Sequence, residues 1–321
     1  MATAIPAQKS ALNIVMGAMT FGAPDTEGAR VHNPKDIEAI LDVFLKHGHR
    51  ELDTARVYCG GTSEEYLGKI NWQDKGIVME TKLYPAKGRD STTGSHSPED
   101  LRKFLMMSLK ALNTDKIEMW YLHGPDRSVP YEVTLKAVDE LYREGHFKRF
   151  GISNYMAWEV AEMGIYNAIH RGVEPELFPA LRKFGIAFYE FNPLAGGFFT
   201  DRYVSMDEKP EAGSRFDPER IQGKSYRNRY WKPAYFEALA AIRPVVAAHG
   251  LTMAEVALRW ISHHSLLRRE HGDAVLIGAS SLAHIEQNLI DLEKGPLPDE
   301  VVVALDAAWQ SVKPYASNYY H

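Results

Sequence analysis

Short β-branched and aromatic runs alternate with longer amphipathic stretches along most of this chain. Strand-like runs stand at Leu12–Met16, Arg50–Asp53, Ile77–Thr81, Ile117–Leu122, Phe147–Ile152, Ile186–Phe191 and Ala274–Ile277. The alternation predicts repeated βα units around a parallel sheet. Between the strands, Pro34–His47 places Ile37, Ile40, Leu41, Phe44 and Leu45 on one face and stops at Gly48. Ser97–Leu112 opens with Ser97 as N-cap, Pro98 at the first helical position and Asp100 in a near capping box. Tyr131–Glu144 ends at Gly145, and Thr252–His263 is another amphipathic helix.

The spacing of the strands is uneven at one place. Asp53 to Thr81 is 28 residues, Thr81 to Leu122 is 41 and Leu122 to Ile152 is 30, but Ile152 to Phe191 is only 39. An eight-stranded barrel needs two βα units in that last gap, and a parallel crossover takes about a dozen residues besides its strand. Met156–Met163 would be the helix and Gly164–Asn167 the strand of one unit. The expected fold is therefore α/β, a (β/α)8 TIM barrel whose sixth βα unit is truncated or missing. No composition shift marks a linker, so residues 1–321 read as one domain.

Composition narrows the function classes. The chain has 321 residues, 45% of them hydrophobic, and a net charge of −5, which argues against a nucleic-acid binder. Cys59 is the single cysteine, so no intrachain disulfide forms and a reducing compartment is expected. Met1–Ser10 lacks the apolar stretch of a secretory leader, and no run of about 18 apolar residues is present to span a bilayer. The expectation is a cytoplasmic protein with no membrane partner.

Candidate chemistry collects at strand ends. Asp53 closes one strand and Tyr58 follows five residues later, while Lys82 and His123 end the next two. Barrel active sites lie at the C-terminal mouth of the strands. Reducing a carbonyl requires an acid that reaches the oxygen and gives up its proton near neutral pH. A phenol ionises at about 10. A neighbouring ammonium is expected to lower that value, and a carboxylate can hold the ammonium in place. Tyr58, Lys82 and Asp53 supply this trio, and His123 can orient the carbonyl. Taken singly, a turn Tyr is usually a packing residue and a strand-end Lys is usually exposed.

Other segments suit phosphates. Asn192-Pro193-Leu194-Ala195-Gly196-Gly197 follows a strand; it is either a tight βα turn or a place where backbone approaches a pyrophosphate. Ser280 and Ser281 open a helical pattern through Asn288, as simple caps or as a phosphate site. The loop Gly223–Arg229 carries Lys224, Arg227 and Arg229, either solvated or clamping an anion. Several motifs fail. Pro218 stands where a P-loop needs its first Gly, no glycine-rich dinucleotide fingerprint follows a strand, and Leu282 breaks a nucleophile elbow. His263, His264 and His271 lack zinc spacing, and Cys59 reads as a packing thiol.

Together these runs resemble the aldo-keto reductases: Gly17-Ala18-Met19-Thr20-Phe21-Gly22, Glu51-Leu52-Asp53-Thr54-Ala55, Tyr121-Leu122-His123, Gly151-Ile152-Ser153-Asn154-Tyr155 and Asn192–Gly197. Tyr226-Arg227-Asn228-Arg229-Tyr230-Trp231, His271–Val275 and Ser280–Leu282 with Glu286-Gln287-Asn288 resemble the aflatoxin-aldehyde reductase branch. The similarity runs from about Val15 to Tyr320. It implies an NADPH-dependent reductase of aldehydes and ketones. Tyr58 would be the proton donor, Lys82 its partner, Asp53 the support for Lys82, with a place also beside the cofactor, and His123 the carbonyl ligand. Ser153 and Asn154 would hold the nicotinamide carboxamide, and Asn192 through Arg202 the pyrophosphate. Arg215, Ser280, Ser281, His284, Gln287 and Asn288 would hold the adenosine end. Tyr226 and Arg229 would contact substrate, the Arg favouring carboxylate-bearing aldehydes. The branch is compatible with a homodimer.

Three departures accompany the resemblance. The family's sixth strand carries a Gln, a few residues before the Tyr166-Asn167 pair, that contacts the nicotinamide. Here Met163 runs directly into Gly164-Ile165, and about fifteen residues with that Gln and its strand are expected to be lost. Phe191 stands where relatives outside the branch stack an aromatic under the nicotinamide. His321 stands where relatives often carry an Arg. Two other readings follow: an NADP(H)-binding barrel without turnover, or an inactive truncated variant. Detoxification of aldehydes and a tailoring step in biosynthesis look alike in this sequence.

Overall fold

Eight strands, all parallel, form one sheet in the computed structural model, which describes residues 6–86, 88–156 and 163–319. They are β1 Asn13–Gly17, β2 Glu51–Asp53, β3 Val78–Leu83, β4 Ile117–Leu122, β5 Phe147–Ile152, β6 Met163–Ile165, β7 Tyr189–Phe191 and β8 Ala274–Gly278. The order β5-β4-β3-β2-β1-β8-β7-β6 joins the first strand to the last, as a barrel-like curl requires. The register sets the site's geometry. Gly17 lies beside Asp53 and Lys82 beside Tyr121, so the ends of β1 to β4 reach one rim.

All seven strands read from the sequence are present, although β7 starts three residues late. Of the expected sixth unit, truncated or missing, a strand is present: β6 pairs with β7, Met163 opposite Tyr189. It is three residues long, and ten residues separate it from β5. The helix considered over Met156–Met163 falls largely on residues 157–162, outside the described residues. Among the described residues no ladder joins β5 to β6. His321 and its comparison with an Arg in relatives also lie outside them.

Helices cover the outer face of the sheet because their apolar residues recur every three or four positions. In α1 (Pro34–Lys46) Ile37, Ile40, Leu41 and Phe44 are buried, and Asn33 caps the start by accepting the Lys35 N–H at 3.0 Å. The remaining helices are α2 (Thr62–Gly68), α3 (Pro98–Ala111), α4 (Tyr131–Arg143), α5 (Leu177–Phe184), α6 (Ile221–Tyr230), α7 (Pro233–Ala248), α8 (Met253–His263), α9 (Leu282–Leu292) and α10 (Asp299–Val312). Ser97 caps α3 as expected, but the capping box does not close. Asp100 turns back to accept from the Ser95 N–H at 2.8 Å and the Ser95 hydroxyl at 2.6 Å. No single helix among the described residues is long and apolar enough to cross a membrane.

The loop expected over Gly223–Arg229 is instead part of α6. Its aromatic residues decide this. Tyr226 and Tyr230, four apart, are buried against Phe216 and Phe198, while Lys224 is left exposed.

Inside the curl, Val15, Met119, Tyr121, Tyr189, Ala274 and Leu276 pack together. At the end opposite the rim Arg149 donates to the Tyr189 hydroxyl at 2.9 Å and to Glu51 and Glu80 at 3.3 Å. Glu190 on β7 is different: it is fully buried, and among the described residues neither carboxyl oxygen has a partner. Burial alone pushes its pKa well up, so the fold favours the protonated acid and stability falls as pH rises out of the carboxylate range. Glu190→Leu is expected to stabilise the protein at pH 8 by about 1–3 kcal/mol in urea denaturation. The gain should shrink towards pH 4; a loss at pH 8 would mean that the carboxyl is satisfied in solution.

Candidate active site

Asp53 ends β2, and the chain then turns so that Tyr58 opens a short 3₁₀ turn, Tyr58–Gly61. Buried Arg56 fixes that turn. It donates to Glu64 at 2.5 Å and to the Gly61 carbonyl at 2.9 Å. Glu64 in turn accepts from the Thr81 hydroxyl at 2.6 Å, next to Lys82 on β3. The segment that carries the phenol is thus tied to the strand that carries the ammonium.

Lys82 is 1% exposed; it forms an ion pair with Asp53 and donates to the Thr54 carbonyl at 2.8 Å. Its Nζ lies 5.2 Å from the Tyr58 ring centroid. Burial works against the ammonium, but Asp53 and Tyr58 outweigh it and hold the Lys82 pKa above its ordinary value. For Asp53 burial outweighs Lys82 and lifts the pKa. The expected lowering of the Tyr58 pKa is not what results. Burial raises it, and Lys82 only opposes that rise. The ammonium acts in the expected direction; desolvation of the phenolate is larger.

His123 follows β4. Its ring meets Tyr58 edge-on at 5.6 Å and Tyr84 edge-on at 5.4 Å. Asn154, in the left-handed region with φ 65°, donates to the His123 carbonyl at 2.8 Å and to Ser153 Oγ at 3.0 Å. These groups stand on one wall of a cavity of about 610 Å³.

The cavity gathers nearly every residue singled out from the sequence. Asp53, Tyr58, His123, Ser153, Asn154, Asn192, Pro193, Leu194, Gly196, Gly197, Arg202, Arg215, Tyr226, Arg229, Ser280, His284, Gln287 and Asn288 line it. Three do not. Lys82 lies buried behind the wall, Ala195 is buried in the turn after β7, and Ser281 caps α9 by accepting the His284 N–H at 3.2 Å. Gly196 has φ 71°, and a Cβ there would stand 2.2 Å from the Tyr226 ring. Tyr226 can therefore lie across the turn and donate to Asn192 Oδ1 at 2.7 Å. Phe191 also lines the cavity.

Electrostatics mark the cavity for anions. Arg30, Arg202, Arg215 and Arg229 line it, against a single lining carboxylate, Asp53, which is already paired with Lys82. Arg215 and Arg229 lie over the Tyr226 ring at 5.7 and 5.6 Å. Among the described residues the buried Asn192 Nδ2 has no partner. A donor-rich, carboxylate-poor groove of this kind fits a polyphosphate. Sequence reasoning missed Tyr84 and Arg30. Tyr84 lies two residues past Lys82 and was findable from the strand-end rule, whereas Arg30 sits in an aperiodic loop with no local signal. Cys59 is buried; its thiol donates to the Met19 carbonyl at 3.2 Å, and burial pushes its pKa up to about 11, as suits a packing thiol. Among the described residues no cluster suits a metal ion.

Comparison with known proteins bears on the whole constellation. The family model described as "Aldo/keto reductase family" matches residues 13–310. "Aldo-keto reductase pigE" of Monascus ruber is 44% identical over 338 residues, covering 98% of each chain. "Aldo-keto reductase family 7 member A3" of Homo sapiens is 42% identical over 332 residues, covering 95% of this chain and 96% of its own. "Aflatoxin B1 aldehyde reductase member 2" of Homo sapiens is 41% identical, covering 95% and 89%.

Proposed function

The chain belongs to the aldo/keto reductase family, an oxidoreductase family acting on small carbonyl compounds and alcohols, and from that premise we propose that it reduces aldehydes or ketones with NADPH. The observation that carries the reading is the convergence of Tyr58, Asp53–Lys82 and His123 on the wall of a cavity that Arg30, Arg202, Arg215 and Arg229 also line. Ser153 and Asn154 would hold the nicotinamide amide, the Asn192–Gly197 turn and Arg202 the diphosphate, and Arg215, Ser280, His284, Gln287 and Asn288 the adenosine end. Bound there, NADPH supplies the hydride that the carbonyl carbon accepts.

The chain's own residues manage the proton. His123 and Tyr58 both reach the carbonyl oxygen, His123 orienting it and Tyr58 delivering the proton as negative charge develops. Lys82 steadies the resulting phenolate, and Asp53 keeps Lys82 in place. Arg229 beside Tyr226 provides for a substrate carboxylate. The relatives named for aflatoxin B1 aldehyde reduction support an aldehyde as substrate.

The short sixth unit belongs to the same reading. The alignment with the Monascus protein spans more positions than the 321 residues of this chain, so the chain carries gaps against that relative. We place a gap between β5 and β6. Ser153 and Asn154, beside Phe191, would then hold the nicotinamide without the Gln of the family's sixth strand. NADPH consumption with 4-nitrobenzaldehyde or succinic semialdehyde, beside a fluorescence titration of NADPH, tests this. Binding with turnover is expected. Tight binding without turnover would instead favour a cofactor-binding barrel.

A further inference from the structure

Arg30 lies in the connection between β1 and α1, and its guanidinium lines the same cavity. Among the described residues it makes no side-chain hydrogen bond or ion pair, and its Nε is buried without a partner. Elsewhere the chain pairs such groups: buried Arg56 meets Glu64, and Arg182 meets buried Asp273. Arg30 instead faces other cations. Burial lowers its pKa first, and Arg215 and then Arg202 lower it further. A half-buried cation among like charges is destabilising unless an anion joins it.

The loop that carries Arg30 is held over the groove. Thr20 donates to the Ala279 carbonyl at 2.7 Å, beyond the end of β8. Across the cavity, Glu27 accepts from the Gln222 backbone N–H at 3.1 Å and lies 3.6 Å from Arg220, at the start of α6. Gln222 reaches back to Met19 Sδ at 3.5 Å. The β1–α1 connection is thus tied both to the end of β8 and to the start of α6, and the Arg30 backbone N–H donates to the Thr20 carbonyl at 2.7 Å.

We propose that Arg30 is a cofactor-positioning residue that binds the diphosphate of the dinucleotide from the side opposite the Asn192–Gly197 turn. The proposal rests on the NADPH reading above and extends it to a loop that the reading does not use. The position of Arg30 along the groove selects the diphosphate. Arg30 shares the cavity with Arg202, which that reading assigns to the diphosphate, and its charge is felt by Arg202 and by Arg215. A planar guanidinium with its donors unspent suits two phosphate oxygens at once.

Arg30→Ala is tested by titrating NADPH and NADH against the full-length protein, with 2′-AMP as competitor. Both dinucleotides should bind roughly ten- to a hundredfold more weakly, by the same factor, while 2′-AMP is unaffected. Arg30→Lys, which keeps the charge and loses the fork, should fall between. Without ligand, Arg30→Ala should melt no lower than wild type, because it removes an uncompensated cation. A lower ligand-free melting temperature would overturn the proposal in favour of a structural role. A loss confined to NADPH and 2′-AMP would move Arg30 to the 2′-phosphate. Unchanged dinucleotide affinity with a raised KM for succinic semialdehyde alone would move it to the substrate. Either result overturns the diphosphate assignment but leaves the reductase reading standing. Wild type that binds no NADPH would sink both.

Discussion

Tyr58→Phe is expected to cut kcat for 4-nitrobenzaldehyde reduction by about a hundredfold or more, the usual contribution of a positioned general acid, while NADPH affinity stays within about twofold. The substitution removes one hydroxyl. Tyr58 is held by Arg56, Gly61 and Glu64 through the backbone turn, so the Phe ring can keep its edge contact with His123. A loss in kcat without a loss of cofactor binding separates proton delivery from packing. Steady-state kinetics beside a fluorescence titration measure both. An unchanged kcat would remove Tyr58 from the chemistry.

Lys82→Met is expected to destabilise the fold by about 3–5 kcal/mol at pH 8, because it leaves the Asp53 carboxylate buried without its cation. The pH dependence identifies the cause. In wild type the raised Lys82 pKa means that the ammonium's contribution is full across neutral pH and is lost only as pH rises through that elevated value. In the variant Asp53 has no ammonium to oppose burial, so the fold favours its protonated form. Stability should then be greatest in mild acid and decline as pH rises. Asp53→Asn combined with Lys82→Met should recover much of the loss, since no unpaired charge remains. Urea denaturation from pH 5 to 9 measures all three. A loss that is independent of pH would point to packing around the Lys82 stem.

The strands were legible because each is a short β-branched or aromatic run bounded by turn residues, and the site was legible because Asp53, Lys82 and His123 end three of them. The parts that sequence did not disclose have physical reasons. The basic residues of Gly223–Arg229 suggest a solvated loop, but the helix there is set by Tyr226 and Tyr230 packing on Phe216 and Phe198, contacts that are remote in sequence. The three-residue β6 is too short to show a period of two, and its partner β7 lies 26 residues on, from Met163 to Tyr189. The direction of the Tyr58 pKa depends on a balance between burial and the Lys82 charge, and sequence shows only the second. Arg30 shows its character only through what surrounds it, the two like charges of Arg215 and Arg202 with no carboxylate partner among the described residues.

The central claim is that the Tyr58 phenol delivers the proton to the carbonyl oxygen. The pH profile of kcat/KM for aldehyde reduction, in wild type and in Tyr58→Phe, tests it most directly. Burial holds the phenol above its ordinary value of about 10, so the wild-type rate should persist through neutral pH and fall only in strong alkali, with no such fall in the residual rate of the variant. The same alkaline fall in both proteins would contradict it.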